Sequence, residues 1–204
     1  MKYSLHQNGN KLFWICKRLF DLIVSLLLLP LLFIIAIFLL FLNPFHNTGR
    51  LLFVQKRMGK NCEAFFAIKF RTMSPTDKVT RKYDDPIEID RITPLGRILR
   101  RTRIDELPQI LNVLRGEMSL IGPRPDYYIH ALEYLKNIEG YPDRHTILPG
   151  ITGLSQVKLG YVENLESISR KVAIDIYYIQ NLGYITELKI IFSTMLVIIR
   201  GSGK

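Results

Sequence analysis

Residues 22–42 constrain this chain more than any other stretch: from Leu22 to Leu42 every side chain is apolar except Ser25, and Pro30 lies inside the run. A hydrocarbon core needs about 20 apolar residues in a helix to cross it, so the segment is long enough to span. It is too long for the apolar part of a cleavable signal, and no small-x-small site follows it. Pro30 argues against a straight span, because proline removes a backbone hydrogen bond and clashes with the preceding turn. The arms on either side of it, about 8 and about 12 residues, reach ~12 and ~18 Å at 1.5 Å per residue, each about half-way through a bilayer core. Basic residues flank both ends, Lys11, Lys17 and Arg18 before and Arg50, Lys56, Arg57 and Lys60 after. Basic flanks favour the cytoplasmic side. A re-entrant helix hinged at Pro30 and a single span therefore stay equally open on the residues alone.

Charge narrows the partners. Lys plus Arg number 28 against 18 Asp plus Glu, a net charge of +10 with a pI of about 9.7, which suits polyanions, an anionic membrane surface or phosphorylated small molecules. Cys16 and Cys62 make neither a disulfide framework nor a zinc spacing and read as free thiols. His6, His46, His130 and His145 lack the i, i+4 spacing of a helical metal pair.

The densest chemistry lies at Arg100-Arg101-Thr102-Arg103-Ile104-Asp105-Glu106-Leu107-Pro108-Gln109. Between Arg91 and Ile104 there are five Arg and no acidic residue, so Asp105 and Glu106 sit in a positive local field suited to phosphate chemistry. The plain alternative is a helix start, with Asp105 as N-cap, Glu106 in the first turn and an Arg101–Asp105 surface pair.

Downstream of a turn cluster at residues 43–49, Leu51 to Val54 and Glu63 to Arg71 read as a hairpin around Met58-Gly59-Lys60-Asn61. Strand alternation puts Lys69 and Arg71 on one face, where they could hold a diphosphate or simply be solvated. Thr76 to Arg91 reads as a charged surface loop. Ile92, Leu95 and Leu99 form the apolar side of a helix whose arginines suit anionic headgroups. Ile104, Leu107, Leu111 and Leu114 form a stripe expected in the core, ending near Gly116. Arg124, fixed between Pro123 and Pro125, is a rigidly presented guanidinium suited to a phosphate fork, or an exposed Arg in a turn. The glycines of Pro149-Gly-Ile-Thr-Gly153 would allow close backbone approach to a ligand. Asp126 to Ile138, Ser169 to Gln180 and Thr186 to Arg200 read as helices, the last packing in the core or lying at the membrane interface. The fold class is mainly α with a small β-hairpin. Residues 1–48 read as a membrane-anchoring helix and 49–204 as the domain that would carry any catalysis.

Five blocks in order, Lys17-Arg18-Leu-Phe-Asp21, Lys69-Phe-Arg-Thr-Met73, Asp105-Glu-Leu-Pro-Gln109, Ile121-Gly-Pro-Arg-Pro125 and Pro149-Gly-Ile-Thr-Gly153, resemble the bacterial sugar transferase family, the monotopic phosphoglycosyl transferases. The resemblance covers Lys17 to Ile199. It implies transfer of a phospho-sugar from a UDP-sugar to undecaprenyl (polyprenyl) phosphate, releasing UMP, at the cytoplasmic face of the bacterial inner membrane, as the first step of surface glycan assembly. It further implies Asp105 as nucleophile assisted by Glu106, Mg²⁺ bound at that pair, and a re-entrant helix broken at Pro30. Lys69, Arg71 and Arg124 are the cations expected on the donor phosphates. The sequence departs from the family pattern at Leu29, Arg103 and Leu148, and Lys158 to Asn164 leaves the sugar open. The expected partners are the two substrates and an anionic phospholipid membrane, with no nucleic acid and with a homo-oligomer allowed. The competing reading is a non-catalytic, membrane-tethered basic binding module.

Overall fold

The computed structural model describes residues 10–47, 49–76, 88–159 and 165–200. Most of the loop read at Thr76 to Arg91, and residues 160–164 of the variable segment, lie outside that range. The described chain is mainly helical, with two small two-stranded sheets and one long apolar helix at its N-terminal end.

Helix α1, Lys11–His46, runs through Pro30 and Pro44 without interruption. Phe13, Lys17, Asp21 and Ser25 are buried at every fourth position, one stripe along a helix, and Leu39 and Asn43 are buried again near the other end. Between them Leu26, Leu27, Leu31, Phe33, Ile34, Ile37 and Phe38 are exposed. An exposed apolar surface of that size is an interaction surface, for a membrane or another protein, rather than a core.

Lys17 and Arg18, which flank the apolar run, are bonded to the globular part. The Lys17 ammonium donates to Glu187 Oε2 at 2.6 Å and to the Ile121 carbonyl at 2.9 Å. The Arg18 guanidinium donates to the Val113 and Leu114 carbonyls at 2.8 and 3.3 Å, and Asp21 Oδ1 accepts from the Leu120 amide at 3.0 Å. Burying charge is costly unless it is paired, and here each charged group finds a partner across α1. The motif is a dock for the globular part, with Phe13 packed beside Ile121, Ile147, Tyr178 and Ile190.

Strands β1, Leu52–Met58, and β2, Ala64–Phe70, pair antiparallel from Leu52↔Phe70 to Met58↔Ala64. The first is longer than expected because polar Gln55, Lys56 and Arg57 belong to it. Asn61 and Cys62 turn the chain with φ of 55° and 61°. On β2, Phe65 and Ala67 pack against Val113 and Met118, and the alternation carries Lys69 onto the same side.

Thr93 caps helix α2, Pro94–Arg101, its hydroxyl accepting from the Gly96 amide at 2.9 Å. A Cβ on Gly96 would stand 2.0 Å from the Thr72 carbonyl oxygen, so α2 rests directly on the chain leaving β2. Arg103 then takes a left-handed conformation (φ 59°, ψ 11°), and Ile104–Gln109 forms a 3₁₀ turn leading into helix α3, Ile110–Arg115. The left-handed Gly116 ends α3.

The expected apolar stripe is out of phase. Ile104, Leu107, Leu111 and Leu114 are only half-buried, while Ile110 and Val113 are fully enclosed. A 3₁₀ start advances three residues per turn, not 3.6, and shifts which side faces in.

Strand β3, Ser119–Ile121, pairs parallel with β4, Gly150–Thr152. Both stretches look like loops in the sequence, with glycines suited to a ligand. Instead a Cβ on Gly150 would lie 2.1 Å from the Gly122 nitrogen, and one on Gly153 2.1 Å from the Gly122 oxygen. These glycines let two backbones touch. Helices α4 (Tyr128–Asn137), α5 (Leu154–Leu159), α6 (Leu165–Gln180) and α7 (Tyr184–Ile199) complete the order. Met58 from β1 joins Ala131 and Tyr134 of α4, Ile138 just after it, and Ile168 and Val172 of α6 in the second core. Ile190 anchors α7, which leaves Ile185, Leu188, Phe192 and Met195 exposed.

Candidate active site

Three elements converge on the Asp-Glu pair: β2 supplies Lys69, the 3₁₀ turn supplies Asp105 and Glu106, and the loop after β3 supplies Arg124. Glu106 Oε1 accepts from Lys69 Nζ at 2.7 Å and from Arg124 Nη2 at 2.5 Å, and Oε2 lies 3.7 Å from Arg103 Nη1. Asp105 is 8% exposed, and its Oδ1 is buried without a hydrogen-bond partner among the described residues.

Asn112 holds this arrangement from behind. Fully buried in α3, its Oδ1 accepts from the Ile68 amide at 3.1 Å, and its Nδ2 donates to the Phe66 carbonyl at 2.8 Å and to Glu117 at 2.7 Å. Its amide extends the ladder of β2, fixing the 3₁₀ turn over Lys69. The signal in the sequence is one polar residue inside the apolar run Ile110-Leu-Asn-Val-Leu114.

The two carboxyls are pushed in opposite directions. Burial raises Asp105 above its ordinary value of 3.8, Lys69 opposing the rise and the neighbouring Glu106 charge adding to it. Burial would also raise Glu106, but the charges of Arg124 and Lys69, the Arg124 hydrogen bond and Arg103 outweigh it and hold that carboxyl well below its usual range. Burial lowers Lys69 to about 8, with Glu106 pulling it back and the like charges of Arg124 and Arg57 pushing further down. Two titratable neighbours with separated pKa values are what a division of roles requires. Glu106 is a fixed anion that gathers cations. Asp105 is the more basic and less satisfied carboxylate.

Of the helix-start reading, the first-turn place of Glu106 holds, since Asp105 and Glu106 lie in the first turn of the 3₁₀ helix, but the cap and the surface pair do not. Asp105 caps nothing, since Thr93 caps α2, no side chain caps the 3₁₀ turn or α3, and Asp105 makes no ion pair among the described residues, with Arg101 or otherwise.

The family model described as "Bacterial sugar transferase" matches residues 12–201. The chain belongs to the bacterial sugar transferase family. Its relatives include the exopolysaccharide production protein PSS of Rhizobium leguminosarum bv. phaseoli, 37% identical over 93% of this chain and 98% of the relative. The UDP-glucose:undecaprenyl-phosphate glucose-1-phosphate transferase of Caulobacter vibrioides is 40% identical over 88% and 68%. The UDP-N-acetylgalactosamine-undecaprenyl-phosphate N-acetylgalactosaminephosphotransferase of Aeromonas hydrophila is 33% identical over 98% of this chain, which spans about half (48%) of that relative's length. One helix long and apolar enough to cross a membrane, together with relatives named for undecaprenyl phosphate, indicates that this bacterial sugar transferase associates with a membrane.

Of the residues expected at this family member's site, Asp105, Glu106, Lys69 and Arg124 come together and Arg71 does not. Arg71 lies one residue past β2, where its Nε donates to the Arg50 carbonyl at 2.7 Å and its guanidinium stacks 5.7 Å from the Phe53 ring centroid. Its amide still pairs with the Leu51 carbonyl at 2.8 Å, but its side chain is taken up by the Arg50 carbonyl and the Phe53 ring. Among the described residues no group of three or more His, Cys, Asp or Glu is placed to hold a metal ion. Mg²⁺ is commonly held by one or two carboxylates plus substrate phosphates. The unpartnered Asp105 Oδ1 fits that demand, whereas the Glu106 carboxylate is already taken up by Lys69 and Arg124. His145 is no general base here, because burial and the Arg144 charge push it down to about 3.

Proposed function

We propose that this chain transfers a sugar 1-phosphate from a UDP-sugar to undecaprenyl phosphate, with Asp105 as a covalent nucleophile, and so initiates assembly of a surface glycan. The carrying observation is the buried, unpartnered Asp105 Oδ1 beside a carboxylate that collects Lys69 and Arg124. A binding module has no use for an anion that disfavours its own ionisation. The Caulobacter and Aeromonas relatives are named for the same overall transfer.

In the first step an Asp105 oxygen attacks the phosphorus that bears the sugar. The bond from that phosphorus to the bridging oxygen breaks, and UMP leaves with the electron pair. In the second step an oxygen of the lipid phosphate attacks the same phosphorus, and the Asp105 carboxylate leaves. Splitting one difficult transfer into two displacements is what a covalent nucleophile achieves. Lys69 and Arg124 are placed to bind the diphosphate oxygens, exchanging Glu106 for phosphate, and they reduce the repulsion between anionic nucleophile and anionic donor. Glu106 holds the two cations in position before the donor arrives. Mg²⁺, with Asp105 as its protein ligand, would neutralise further phosphate charge.

The same reading includes a re-entrant α1 turned at Pro30, with both ends at the cytoplasmic face. What supports it is that Phe13 packs with Ile121 and Tyr178 while Leu39 packs with Phe70 and Leu99. Those positions lie about 39 Å apart along a straight helix, more than a bilayer core, so a span would put one of them on the far side from the globular part. The Lys11–Leu29 and Leu31–His46 arms, about 28 and 24 Å at the helical rise, are longer than the apolar run alone indicated.

The test is release of UMP by the detergent-purified chain given UDP-glucose or UDP-N-acetylgalactosamine, with and without undecaprenyl phosphate. Lipid-dependent turnover is expected. No release from any UDP-sugar would overturn the reading. For topology, cysteines placed at residues 2 and 200 should both resist labelling from outside intact cells, and outside labelling of one end would make α1 a span.

A further inference from the structure

We propose that Arg144 is the positioning residue for Arg124: it clamps the Gly122–Pro125 loop from behind so that the Arg124 guanidinium meets Glu106. The proposal rests on the reading of Lys69, Arg124 and Glu106 as the phosphate-binding set.

Arg144 belongs to the 3₁₀ turn Tyr141–His145, far from the Asp-Glu pair in sequence, and is 1% exposed. Its guanidinium is used in three directions. Nη2 donates to the Arg124 carbonyl at 2.8 Å, Nη1 to Asp126, and Nε to Asp175 Oδ2 at 2.9 Å. Asp126 also accepts from Lys171 Nζ at 2.5 Å and from the Tyr141 hydroxyl at 2.8 Å. From the hairpin side, Arg57 Nη1 donates to the Pro125 carbonyl at 2.9 Å. The carbonyls of residues 124 and 125 and the side chain of residue 126 are thus tied to α6, to the 3₁₀ turn and to β1.

Prolines at 123 and 125 fix φ on either side of Arg124, so holding its carbonyl and the next side chain leaves one direction for its Cα–Cβ bond. Buried ion networks rarely improve stability over apolar packing. This one stands immediately behind the loop that presents a substrate-binding arginine, and that placement gives it a use. Lysine could not replace Arg144, because an ammonium on a single stem cannot serve three acceptors spread around a planar fork.

The experiment reads Lys69, whose neighbours are Glu106, Arg124, Arg57 and Asp105. Arg124 lowers Lys69, so a retracted Arg124 releases it upward. Competitive acetylation of the full chain across neutral and alkaline pH, mapped by mass spectrometry, gives the Lys69 pKa without turnover. Arg124→Met should raise it by about one unit, the scale of a nearby like charge. Arg144→Lys should produce the same rise with Arg124 still present. The double variant should show no further rise and no further loss of kcat/KM.

An unchanged Lys69 in folded Arg144→Lys, or losses that multiply in the double variant, would overturn the proposal. Should Arg144→Lys not fold, Asp175→Asn loosens the same guanidinium. A smaller rise is expected there, and none would overturn the proposal. A wild type that released no UMP would sink the proposed reaction yet leave the acetylation answer standing.

Discussion

Replacing Asp105 by Asn should make the protein more stable while abolishing its chemistry. Asp105 Oδ1 is buried and unpartnered, and burial raises the pKa above 3.8. A folded-state pKa raised above the unfolded value means the folded chain holds the proton more tightly. Wild-type stability therefore falls as pH climbs from 3.8 through the folded pKa, and the penalty is complete above it. Asn is neutral at every pH and escapes the penalty. Each unit by which burial raises that pKa corresponds to about 1.4 kcal/mol recovered by the neutral amide at neutral pH, and each 1 kcal/mol is about 2–4 °C in Tm for a chain of this size. Thermal unfolding of wild type and Asp105→Asn in one detergent, at neutral pH and below 3.8, checks this. The variant should unfold at the higher temperature at neutral pH, the difference should vanish in acid, and UMP release should be absent. A variant that unfolds earlier at neutral pH, as loss of a structural ion pair would cause, refutes the reasoning.

Lys69→Arg should remove an alkaline limb: kcat/KM of wild type should fall above about 8 as Lys69 loses its charge, and the arginine variant should hold its activity to higher pH, since kcat/KM reports the free enzyme. Gly150→Ala, with its Cβ 2.1 Å from the Gly122 nitrogen, should force β3 and β4 apart at a cost of about 3 kcal/mol, read as a lower Tm together with reduced turnover. Asp126→Asn leaves Arg144 and Lys171 buried without their shared carboxylate, and chemical denaturation should show a loss of about 3–5 kcal/mol.

The elements legible in the sequence were those with a strong local signal. An apolar run announces α1, alternating aromatics announce β2, and a glycine announces the end of α3. The converging cations Lys69 and Arg124 were legible as types, because a strand face and a doubly proline-fixed loop present charge in a predictable way. The docking role of Lys17 and Asp21 was not, because their partners Ile121, Glu187 and Leu120 lie about a hundred or more residues away. Three-residue strands such as β3 and β4 carry no period to detect, and their glycines look alike whether they face a ligand or another backbone. The 3₁₀ turn hid the burial phase of Ile110 and Val113. It also hid the outcome that matters most at the site, that Glu106 is held by Lys69 and Arg124 while Asp105 Oδ1 has no hydrogen-bond partner among the described residues.

The most direct measurement of the central claim is the intact mass of the purified chain after incubation with UDP-glucose or UDP-N-acetylgalactosamine in the absence of undecaprenyl phosphate, followed by peptide mapping. The account predicts one added phospho-sugar on Asp105, discharged when undecaprenyl phosphate is supplied and absent from Asp105→Asn. Lipid-dependent UMP release without any adduct, or an adduct mapped to another residue, would contradict it.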